Sequence, residues 1–153
     1  MGSPTPRHLI VFCQAYPYVE ACFHIFSKYP NESKTIVIVS DKNLLRFWSL
    51  VKNNGIVERL NIVFLGIKIN YNHFNLFHLL REKRKIIDCY NLYFKHVKNS
   101  SIYYFDDLYD IVSLSIIKNI SRKNKVYFTP TNRIGVGKST NKISIKDAII
   151  LIE

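Results

Sequence analysis

Short apolar runs and helical stripes alternate along this chain almost from its start. Leu9–Cys13 (LIVFC) is a continuous apolar run of strand length. Pro17 suits the first turn of a helix, and Val19, Cys22, Phe23 and Phe26 follow at i, i+3, i+4 and i+7. Thr35–Val39 (TIVIV) is β-branched, the composition of a parallel strand covered on both faces. Ser40-Asp41 offers an N-cap for a helix from Lys42 to about Asn53, striped by Leu44, Leu45, Trp48 and Val51 and stopped at Gly55. Further strands are predicted at Leu60–Leu65, Ser101–Phe105, Lys125–Phe128 and, last, Ala148–Ile152, with a helix from Leu108 to about Ile120. The pattern predicts an α/β domain: an open parallel sheet of five to six strands, ordered 3-2-1-4-5, with helices on both faces and right-handed crossovers.

The stretch from Asn70 to Asn99 breaks the regularity. Phe74, Leu76, Phe77 and Leu80 begin a helical stripe, and Ile86, Ile87, Tyr90 and Phe94 resume one. Between them stand Arg81-Glu82-Lys83-Arg84-Lys85, charged on every side of a full turn. Such a turn is expected to carry no buried stripe, so the segment should project beyond the sheet or break there. Unpaired charges are costly to desolvate, which places the turn in water, at a subunit contact or against anionic lipid.

Composition narrows the class. The 153 residues suit one domain, spanning 8–153, with 1–7 set aside as a tag or disordered. A hydrophobic share of 48% can supply a core, and no apolar run reaches the roughly 18–20 residues that cross a bilayer. Cys13, Cys22 and Cys89 stand at no metal spacing, so reduced thiols and a cytoplasmic location are expected, with peripheral contact to the inner membrane through Arg81, Lys83, Arg84 and Lys85. The net charge of +11 invites an anionic partner, although a chain crowded with Lys, Asn and Ile reaches such a charge without one. No helix-turn-helix, zinc or RNP signature is present, so no specific nucleic acid is expected.

Candidate chemistry clusters where strands end. The elbow Gln14–Tyr18 follows the first strand, where open α/β sheets bind ligands. It lacks G-x-G-x-x-G and carries side chains where a pyrophosphate needs bare backbone, so no dinucleotide cofactor is expected. Asp41 ends the second strand, either as a ligand-binding acid or as an N-cap. Asp106 and Asp107 end the fourth strand, where a carboxylate can act as general base or cap the next helix. Asn132–Ser139 (NRIGVGKS) resembles a P-loop but has Asn132 for the first glycine, and only 14 residues follow it, which favours a flexible basic loop. The five histidines show no metal-binding spacing on one element, and no metal is expected.

The segments LIVFCQAYPYVEA, TIVIVSD, LNIVFL and SIYYFDD together resemble the N-terminal Rossmann-like half of GT-B glycosyltransferases, with the bacterial sialyltransferase- and polysialyltransferase-like enzymes of capsule or lipooligosaccharide synthesis the nearest echo. The resemblance spans about residues 8 to 130. It implies an acceptor-binding half of a two-domain enzyme, whose missing C-terminal domain holds most of the nucleotide sugar. On that reading Asp106 or Asp107 deprotonates the acceptor hydroxyl. Gln14, Tyr16, Tyr18 and Asp41 contact the acceptor glycan, since rings stack on sugars and an amide both donates and accepts. The alternative is a noncatalytic α/β regulatory or interaction domain with a basic surface.

Overall fold

In β1 (His8–Phe12) successive side chains divide between the two faces of a sheet: Leu9 and Val11 go to one side, Ile10 and Phe12 to the other, and all are buried. A strand apolar on both faces can be covered only by layers on both sides, which dictates the architecture. The computed structural model describes residues 8–68, 76–105 and 111–129. Five parallel strands, β1, β2 (Ser33–Ile38), β3 (Leu60–Phe64), β4 (Ser101–Phe105) and β5 (Lys125–Thr129), form one open sheet in the order β3-β2-β1-β4-β5. This is the predicted α/β, Rossmann-like arrangement, with strand limits shifted by one or two residues. The expected sixth strand at Ala148–Ile152 and the loop Asn132–Ser139 lie outside the described residues.

One face is covered by α1 (Val19–Ser27) and α2 (Lys42–Asn53), the other by α3 (Leu76–Cys89), a π-helical turn (Tyr90–Phe94) and α4 (Ile111–Ile120). On the α1–α2 side Trp48 is fully buried amid Phe23, Phe26 and Phe47, its ring centroid 5.2–6.2 Å from theirs. Opposite, Phe94 stacks on Phe12 at 6.2 Å. Gly55 takes φ +64° just past α2, the left-handed conformation that ends a helix. Among the described residues no helix is long and apolar enough to cross a membrane.

One feature departs from the expectation. The charged turn does not interrupt its helix: α3 runs unbroken through Arg81–Lys85 and buries Glu82, 3% exposed, and Ile86 beneath it. The acid brings its own cations, with Lys85 Nζ donating to it at 3.1 Å and Arg81 Nε ion-paired at 3.9 Å, so the turn is able to bury one charge while its cations stay wet. A second buried charge is Lys34, 2% exposed at the start of β2. Its ammonium donates to the carbonyls of Pro30, Glu32 and Glu58, 2.8–3.4 Å away, and burial lowers its pKa against the pull of the Glu32 and Glu58 charges. Lys34 thus ties together two loops at the amino edge of the sheet, opposite the strands' carboxyl ends.

Candidate functional site

The strand order reverses between β1 and β4, whose chains leave for opposite faces of the sheet. Helices departing to opposite sides leave a crevice outside the carboxyl ends of those two strands. The residues after β1 wall it. Cys13 still pairs with the sheet through its N–H to the Val37 carbonyl (3.1 Å), and Gln14 is the first residue to leave. The half-buried Gln14 side chain donates from Nε2 to the carbonyl of Phe105, the last residue of β4, at 2.7 Å. One side chain therefore bridges the two strands that define the crevice.

Ala15 is extended, and Tyr16–Tyr18 form a single 3-10 turn into which Pro17 fits because its first positions need no N–H donor. Tyr16 is 50% exposed, its hydroxyl donates to the Asn43 carbonyl at 3.4 Å, and its ring meets Phe47 edge-on at 5.8 Å. Asp41 caps α2, accepting from the N–H groups of Asn43 and Leu44 at 2.9 and 3.1 Å while staying half-exposed. Tyr16 and Asp41 thus both engage the first turn of α2.

Tyr18 is placed differently. It is 6% exposed and stacks flat on Phe105, centroids 4.9 Å apart and planes within 5°, beneath the rim of the crevice. Asp106 and Asp107 follow Phe105 directly in the chain and lie outside the described residues. Sequence reasoning did not reach the Phe105 carbonyl, Asn43 or Phe47, all of which hold the elbow's side chains in position. A carbonyl leaves no mark in a sequence, but Phe47, adjacent to the α2 stripe at Trp48, was a legible signal.

The elbow holds no glycine, so no run of bare N–H groups faces the crevice, as a pyrophosphate cradle requires. Among the described residues no group of histidine, cysteine and acidic side chains is arranged to hold a metal ion. The thiols of Cys13 and Cys22 lie together directly under the elbow, both essentially inaccessible. Burial pushes Cys22 well up, while the hydrogen bond from Cys22 is what chiefly lowers Cys13. Sulfurs with no solvent access serve as small apolar residues and not as nucleophiles. The crevice is thus walled by the half-buried amide of Gln14, the phenol and ring edge of Tyr16 and the carboxylate of Asp41, groups of the kinds that bind neutral, hydroxyl-bearing ligands through hydrogen bonds and apolar contact.

No protein-family model matches the chain, and comparison with curated proteins and with solved structures finds no significant match.

Proposed function

We propose that this domain is the acceptor-binding half of a nucleotide-sugar-dependent glycosyltransferase of surface polysaccharide synthesis, with the glycan lying in the crevice between β1 and β4. The observation that supports this reading is the elbow, where the switch point of the sheet presents Gln14 and Tyr16 in place of a glycine-rich phosphate loop. Gln14, fixed on the Phe105 carbonyl, orients a sugar hydroxyl, and Tyr16 offers its ring to a pyranose face. Asp41 accepts a further hydroxyl from the edge of α2. Asp106 or Asp107 takes the proton of the attacking hydroxyl. The acceptor oxygen then forms its bond to the anomeric carbon as the bond from that carbon to the nucleotide's phosphate oxygen breaks. A second domain supplies most of the nucleotide-sugar site.

Ligand-observed NMR of the 153-residue chain with a panel of acidic and neutral oligosaccharides tests the proposal. Millimolar binding of an oligosaccharide, weakened at least tenfold by Gln14→Leu and by Tyr16→Ala, is the expected outcome, together with weak or no nucleotide binding and no transfer by this chain alone. Tight nucleoside triphosphate binding abolished by Lys138→Ala would overturn it in favour of a phosphate-binding loop. No binding of any sugar would favour a noncatalytic interaction domain.

A further inference from the structure

The helix α3 wears its faces inside out. Its acid, Glu82, is buried, while Phe77 (79%), Leu80 (54%) and Ile87 (49%) are exposed. At 3.6 residues per turn, Phe77, Leu80, Arg84 and Ile87 fall within an arc of about 80°. They make an outward ridge of three apolar side chains with one guanidinium among them. In the π-helical turn that follows, Leu92 is a further exposed apolar side chain (72%). Solvation alone gives no reason to place this many large apolar groups outward on one element.

Charge identifies what the ridge faces. Residues 81–98 hold six Lys or Arg (Arg81, Lys83, Arg84, Lys85, Lys95 and Lys98) against two acids, Glu82 and Asp88. Glu82 is spent internally on Lys85 and Arg81, which leaves Asp88 as the one acid in that stretch that is exposed. A second copy of the chain would oppose these cations to themselves across a two-fold contact. An apolar ridge flanked by long cationic side chains is the arrangement of helices that lie in a bilayer interface. We infer that the outer side of α3 and the π-helical turn dock this domain on an anionic lipid bilayer, with Phe77, Leu80, Ile87 and Leu92 entering the headgroup boundary and the surrounding cations meeting lipid phosphates.

The orientation follows from α3's last turn. The Cys89 thiol donates to the carbonyl of Leu65, just past β3, at 3.8 Å, so this end of the helix sits at the carboxyl edge of the sheet. The crevice opens at the same edge. A docked domain therefore holds the crevice close to the lipid surface, and the docking itself stands whether or not a glycan occupies it.

Flotation of the full chain with phosphatidylcholine vesicles, and with vesicles containing 30% phosphatidylglycerol, at low and high salt, tests the inference. Binding to the anionic vesicles alone, reduced by salt, is expected. Arg81→Gln with Arg84→Gln should lower partitioning by about thirtyfold. Leu80→Ser with Ile87→Ser should remove the binding left at high salt. All four positions are exposed, and circular dichroism verifies that each variant folds. Absence of binding to either vesicle, equal binding to both, or loss in the cation variant with none in the apolar variant would each overturn the inference. So would a concentration-dependent dimer that the apolar variant abolishes, since the ridge would then belong to a second copy.

Discussion

Replacing Asp41 separates its two attributes, capping oxygen and charge. Its carboxylate accepts two backbone N–H groups at the start of α2 and stands at the positive end of a helix of 12 residues. Loss of an N-cap costs about 1 kcal/mol, and the interaction of a charge with the helix dipole adds about 0.5 kcal/mol. Asp41→Ala should therefore destabilise by about 1.5 kcal/mol, whereas Asp41→Asn keeps an accepting oxygen and should lose only about 0.5 kcal/mol. In urea, at an m-value of about 1.5 kcal/mol/M, the Ala variant should unfold at a midpoint about 1 M lower and the Asn variant about 0.3 M lower, with m unchanged. If both variants fell equally, the charge and not the cap would be what matters. If the Ala variant were unaffected, α2 would be held by Leu44, Trp48 and Val51 alone. The same pair of variants bears on function, because a carboxylate that binds sugar loses affinity on becoming an amide even where the fold keeps its stability.

Tyr18→Ala should cost about 3 kcal/mol, since it empties a buried aromatic site against Phe105, and a midpoint shift worth under 1 kcal/mol would show that the stack is dispensable. His8 is a pH probe: burial lowers its pKa from 6.5, and Nε2 lies 2.7 Å from the Thr35 hydroxyl. The unfolded chain takes up a proton more readily at this site than the folded one, so its contribution to stability is complete above pH 6.5 and declines as pH falls through the lowered folded pKa. Urea unfolding between pH 5 and 7.5 should show a loss of stability toward acid that is shallower in His8→Gln, and identical slopes in the two proteins would refute the assignment.

What the sequence discloses here depends on whether a residue's partners lie nearby in the chain. The strands were legible because β-branched runs such as TIVIV satisfy both faces at once, and the order followed from the alternation of strand and helix. Asp41 was legible as a cap because its partners are two and three residues away. Gln14 was legible only as a position, for its partner lies 91 residues downstream. Lys34 was not legible at all: a lysine opening a strand reads as solvated, and the Glu58 carbonyl that helps bury it comes from another loop. The charged turn misled for a related reason. Five charges in a row were treated as alike, whereas Glu82 differs from its neighbours in having a cation on each side along the helix.

The aromatic cluster around Trp48 also decides what unfolding experiments report. The chain has one tryptophan, and with Cys13 and Cys22 it lies on the α1–α2 side of the sheet. Indole fluorescence and the labelling of Cys13 and Cys22 are therefore witnesses from a single layer, whereas the half-buried Cys89 reports on α3. Far-UV ellipticity draws on every helix. Superposition of the fluorescence and ellipticity curves would establish that both layers melt as one cooperative unit, and a gap between them would reveal a layer that opens while its neighbour stays closed.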